Sequence, residues 1–199
     1  MPLTAMKTTL LLATCLLSVT GITSASTPNW SGRYAPCNRH GDLLSRQHVD
    51  LAVRISTSNP VLAEQFARAL DFWTGVLDLD WHSVDSEDCA IQLVDGTPAL
   101  FDFSVGQSAK AQLPDRPAFQ GWVAFNPRLN LTKEEMFLDS VHEIGHLLGL
   151  EHNPEDTSVM FYSEVDKAPS LNTADLEALA ERHQLRPHVA LNRRSVNVM

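Results

Sequence analysis

Positive charge is scarce in this 199-residue sequence: 15 Lys and Arg stand against 24 Asp and Glu, a formal charge of −9. Phosphate-rich partners require clustered Lys and Arg, so neither nucleic acid nor an anionic membrane is an expected partner. Long apolar runs are missing too. Leu10 to Val19, after Lys7, is too short and too polar at its end to span a bilayer as a stable helix. A basic start, a short apolar stretch and the small residues Thr23-Ser24-Ala25 have the layout of a secretory signal peptide, with cleavage placed after Ala25; an N-terminal anchor is the alternative. Cysteine is limited to three, and Cys15 lies in that leader. Cys37 and Cys89 remain. In an oxidising compartment, secreted or periplasmic, an even pair is most simply a disulfide, worth ~3–4 kcal/mol in the chain-entropy model. No internal repeat is visible.

What is present suffices for one compact domain, since 44% of the residues are apolar. Residues 26–47, rich in Pro, Gly, Ser and Asn, read as an extended arm. Val49, Leu51, Val53 and Ile55 alternate as in a half-buried strand. Ser58-Asn59-Pro60 then starts a helix over 60–76, with Leu62, Phe66, Ala69, Leu70 and Trp73 on one face. Short strands are expected at 79–84, 89–94 and 121–125, with a weaker one around Ala109 to Leu113. Thr132 and Glu135 have capping-box spacing and open a helix that should stop at Gly149. Asn172 or Thr173 caps a last helix over 173–184, and residues 186–199 read as a mobile tail.

The chemistry is concentrated in His142-Glu143-Ile144-Gly145-His146-Leu147-Leu148-Gly149-Leu150-Glu151-His152. Residues four apart share a helix face, so His142 and His146 can take two corners of a tetrahedral zinc site. Glu143 stands beside the first ligand, where a general base for metal-bound water belongs. Gly149 can turn the chain sharply and return His152 as a third ligand. Three imidazoles leave a fourth position for water, as a catalytic site requires.

This segment resembles the HExxHxxGxxH signature of the metzincin zinc endopeptidases. Ser158-Val159-Met160-Phe161-Tyr162 resembles their methionine turn, and its eight-residue step from His152 is similar to that of the matrixin branch. The resemblance extends over most of residues 48–185 and implies an α+β (α/β metzincin-like) fold. That fold has a twisted, mostly parallel sheet with an antiparallel edge strand, an active-site helix, the methionine turn and a C-terminal helix. It implies a secreted, monomeric endopeptidase with one catalytic zinc, acting on protein or peptide substrates without stable membrane association. Met160 would then support the metal from below, and Leu138 would line the specificity pocket. The segment Ala109-Lys110-Ala111-Gln112-Leu113-Pro114 would be the edge strand on which substrate lies. Plain core packing is the competing reading of Leu138, and a plain loop that of 109–114.

The sequence also departs from that family. No His lies between His82 and His142, and Ala124 stands where a second zinc's ligand would fall, so a second, structural zinc is not expected. Calcium is left open, with Asp95 and Asp102 read as solvated carboxylates. Tyr162 replaces a usual Pro; in other metzincin branches a Tyr there donates to the transition state, which makes Tyr162 a candidate donor beside the blander reading of a packed ring. Asn153 fits no branch cleanly, and no long propeptide precedes the first strand. Cys37 has a second reading as a zinc-blocking switch, although Ala35-Pro36-Cys37-Asn38-Arg39 does not match the family's switch motif. Two other functions compete: a zinc-bearing partner-binding protein without turnover, and a structural domain stabilised by the histidines. Glu143 argues against the first, and the lack of a fourth ligand against the second.

Overall fold

The computed structural model describes residues 48–85, 90–101, 106–112, 121–162, 169–192 and 194–198. The expected leader and arm, the Cys37–Cys89 pairing, Asp102 and the Leu113-Pro114 end of the weak strand lie outside the described residues.

The alternating segment is strand β1 (Val49–Ser56), with Leu51 and Val53 turned into the core. Helix α1 (Pro60–Val76) follows as its caps dictate: Asn59 Oδ1 accepts the Val61 and Leu62 amides at 3.0 and 3.2 Å, and Pro60 occupies the first turn. Its apolar stripe, Leu62, Phe66, Ala69, Leu70 and Trp73, is buried. The chain then returns through β2 (Leu79–Ser83), β3 (Ala90–Val94), a 3-10 turn at Pro98–Phe101, β4 (Ala109–Gln112) and β5 (Gly121–Phe125). These five strands form one sheet in the order β2-β1-β3-β5-β4. All its pairings are parallel except β4 with β5, so β4 is an antiparallel edge strand. This is the α/β architecture, mostly parallel, that the resemblance implied.

Helix α2 (Lys133–Leu147) packs against α1, β4 and β5. Trp73 ties the two helices together, its Nε1 donating to the Val141 carbonyl at 3.2 Å. Beyond it run β6 (Ser170–Asn172) and α3 (Thr173–Arg182).

Of residues 186–199, read from the sequence as a mobile tail, the described ones form α4 (Pro187–Leu191) and β7 (Ser195–Asn197), which pairs antiparallel with β6. Val189 and Val198 are buried in the core. Arg186 anchors the segment through Nε to the Thr74 carbonyl at 3.0 Å and a guanidinium nitrogen to Asp78 Oδ1 at 3.0 Å. Three residues in β7 and five in the helix α4 are too few to show a period, so the sequence offers no pattern there.

Candidate metal centre

Helix α2 starts on a complete capping box. The Thr132 amide donates to Glu135 Oε2 at 2.6 Å, and the Glu135 amide to Thr132 Oγ1 at 3.2 Å. With its start fixed, the helical period sets His142 and His146 one turn apart on one face.

The helix ends in a Schellman arrangement. Gly149 has φ 100, the Gly149 amide donates to the His146 carbonyl at 3.0 Å, and the Leu150 amide to the Gly145 carbonyl at 2.9 Å. A residue with a Cβ is strained at that φ, which is why Gly serves here. The turn sends His152 back beside the helix. His146 Nε2 lies 3.1 Å from His142 Nε2 and 3.1 Å from His152 Nε2.

Those distances fit a metal. A tetrahedral ion bound at about 2.0–2.1 Å holds its donors roughly 3.3 Å apart. The outward nitrogens agree: His142 Nδ1 meets the Val159 carbonyl at 2.7 Å, and His146 Nδ1 the Leu150 carbonyl at 2.8 Å. A carbonyl only accepts, so each Nδ1 carries the ring proton and each Nε2 presents a lone pair to the centre. Lone pairs facing one another at such distances repel unless a cation lies between them. Burial holds His142 down at about 4 and His146 at about 3, and it lowers His152 as well, so all three favour the neutral, ligating form.

Glu143 is 4% exposed, and its Oε2 is buried with no hydrogen-bond partner among the described residues. Burial, then the charge of Asp139, pushes its carboxyl up to about 8. A hydrogen bond from the Ala111 backbone on β4 and the charge of Lys110 oppose that rise. Glu143 therefore faces the edge strand.

Met160 is fully buried. A Cβ on Gly145 would lie 2.6 Å from Met160 Sδ and 3.3 Å from Trp73, so Gly145 is what lets the methionine turn close on the helix. A buried network holds that turn. Ser158 Oγ donates to Asp175 Oδ2 at 2.7 Å and accepts the Met160 amide at 3.0 Å. Asn153 Nδ2 donates to Asp175 Oδ1 at 2.8 Å, and its backbone amide to the Met160 carbonyl at 2.8 Å. Because Val159 lies between Ser158 and Met160, the network also fixes the carbonyl that orients His142. Sequence reasoning singled out Asn153 and placed Ser158 in the methionine turn, but it missed the network they form with Asp175 and the close approach at Gly145. The one legible signal was the Asn172-to-Asp175 capping spacing, which the structure realises as a second capping box.

The remaining expected residues are placed as follows. Leu138 is half-buried against the core, one turn before His142. Tyr162 is 70% exposed, its ring 4.4 Å from that of Phe161; its hydroxyl makes no hydrogen bond among the described residues. Asp95 accepts from Thr57 Oγ1 at 2.6 Å and from the Ser58 amide, which lowers its pKa. Ala124 is buried in β5.

Comparison with known proteins gives a consistent result. The family model of the matrixins matches residues 46–184. The chain is 28% identical over 152 residues to matrix metalloproteinase-16 of Homo sapiens, a match covering 63% of this chain and 24% of that protein. To metalloendoproteinase 1-MMP of Arabidopsis thaliana it is 31% identical over 113 residues, covering 49% of this chain and 30% of that protein. To stromelysin-2 of Rattus norvegicus it is 28% identical over 156 residues, covering 72% and 30%. The matches thus span about a quarter to a third of these relatives' length.

Proposed function

The chain belongs to the matrixin family, and from that premise we propose that it is a secreted zinc endopeptidase in which Glu143 is the general base. The observation that carries this reading is the convergence of three Nε2 atoms, two of them oriented through Nδ1 by backbone carbonyls. His142, His146 and His152 would hold a single ion. A zinc ion held there would supply Lewis acidity and lower the pKa of a bound water towards ~7.

The chain's own residues do the rest. Glu143 Oε2 would hold the proton given up by an attacking water and pass it to the leaving amine as the peptide C–N bond breaks. The strand β4, at the sheet's edge and bonded to Glu143 through Ala111, offers backbone groups to an extended substrate. Leu138 lines the pocket for a substrate side chain, and exposed Tyr162 is free to turn towards the developing oxyanion. The apolar leader after Lys7 supports secretion, and no helix among the described residues is long and apolar enough to cross a membrane.

The test is a peptide-library digestion by the mature protein, with zinc measured alongside. One zinc per chain is expected, with cleavage that a chelator stops. Glu143→Gln should keep the zinc and lose about 10²–10⁴-fold in kcat. Turnover retained in that variant would sink the assignment of the base, and a parent that binds zinc but cleaves nothing would leave a binding protein.

A further inference from the structure

We propose that His183, at the end of α3, is a positioning residue for the metal centre: it locks the peptide unit that steers the chain from His146 to His152. The proposal rests on the zinc reading above and adds to it a residue 31 positions beyond the third ligand, outside the motif altogether.

His183 is 5% exposed, and its Nε2 lies 2.8 Å from the Leu148 carbonyl. The carbonyl only accepts, so Nε2 donates. Its own backbone amide closes α3 on Leu179 at 2.7 Å, which fixes where the imidazole stands. Leu148 is the cap residue of α2 and is 1% exposed, so its carbonyl has no water to turn to.

The peptide unit joining Leu148 to Gly149 is planar and moves as one body. At one end its oxygen accepts from His183. At the other its N–H donates to the His146 carbonyl at 3.0 Å. Held at both ends, the plane has one orientation, and from it the chain turns at Gly149 with φ 100. Two things depend on that orientation: the Leu150 carbonyl reaches His146 Nδ1 at 2.8 Å, and His152 reaches the centre two residues later. Without the bond from α3, a glycine able to populate either sign of φ is left to the bonds of the helix end and to His146 Nδ1. His183 therefore acts through the backbone on His146 and His152.

The test compares the full chain with His183→Leu, which keeps bulk and removes the donor, and His183→Gln, which keeps a donor. Zinc affinity is measured by chelator competition, and ligand geometry by the visible spectrum of the cobalt-substituted protein. We expect His183→Leu to bind zinc about tenfold more weakly, with an altered cobalt spectrum and a fall in kcat larger than any change in KM. Most of each effect should return in His183→Gln. Equal affinity and spectrum in the parent and His183→Leu overturn the proposal, as does a Gln variant no better than Leu. A parent that binds no zinc defeats the zinc reading, and this inference with it.

If His183→Leu fails to fold, the unsubstituted protein decides. Coupling is reciprocal, so a bond that steadies the zinc site must itself be steadied by zinc. The His183 Nε2–H, followed by nitrogen-15 imidazole NMR, should exchange more slowly in the zinc-loaded than in the metal-free protein. The same rate in both, or a proton on Nδ1 instead, overturns the proposal.

Discussion

Glu143 is a carboxyl kept where burial away from water disfavours its charge, and the metal-free protein must bear that cost. Its folded pKa is raised to about 8 from 4.5. The folded chain therefore keeps a proton that the unfolded chain releases above 4.5. The sign follows: the group's contribution to stability is whole below pH 4.5 and is lost as pH rises through 8. Glu143→Gln carries no such titration. In chelator-treated samples the variant should melt close to the parent at pH 4.5 and above it at pH 8, by at least the ~2–4 °C that 1 kcal/mol produces in a domain of this size. A gap that stays constant with pH would contradict the burial assigned to this side chain. The proposed ligands and base were legible in the sequence because helical spacing puts His142, Glu143 and His146 together and the Gly149 turn returns His152. His183 was not. The role proposed for it rests on its contact with Leu148 across 35 residues, and no local pattern encodes such a contact.

At the scale of elements, the centre is a helix, a turn and a second turn pressed together, and Gly145 is where they touch. An added Cβ would meet Met160 Sδ at 2.6 Å, with Trp73 close behind. Met160 is fully buried and has little room to retreat. Gly145→Ala should cost about 1–3 kcal/mol as overpacking, read as a lower midpoint in denaturant. The cause is testable by a cycle with Met160→Ala, which removes the clashing atoms. The double variant should be more stable than the sum of the two single losses allows; simple additivity would show that the strain lies elsewhere. The same contact explains an unevenness in what the sequence revealed. Gly149 was readable because the turn it makes is local. Gly145 looked like a filler position, since its reason is a side chain fifteen residues on and another on α1. Helices α1, α2 and α3 announced themselves through caps and apolar stripes, as did β1 through alternation. The three-residue strands β6 and β7 pair with each other and had nothing periodic to show.

Over the whole molecule, the segment after Leu185 joins the two ends of the described fold. Arg186 reaches Thr74, Asp78 and the Leu79 carbonyl at the junction of α1 and β2. Val189 and Val198 enter the core, and β7 covers β6. Strand β6 in turn supports the methionine turn, since the Val159 amide donates to the Ser170 carbonyl at 2.9 Å. A chain ending at Leu185 loses two buried valines, about 3–6 kcal/mol of apolar burial, together with the Arg186 clamp. That is a large part of the ~5–15 kcal/mol that a domain commonly holds in reserve. Its melting temperature should fall by about 10 °C or more. Zinc stoichiometry should nonetheless remain one at low temperature, because the network of Asn153, Ser158 and Asp175 that holds the turn lies wholly upstream of the cut. Thermal unfolding and zinc content, measured on the same shortened protein, separate these claims. A melting temperature within ~2 °C of the full chain would mean that the tail is not part of the fold. Loss of zinc below the transition would mean that β7, through β6, is needed to hold the metal centre as well as the core.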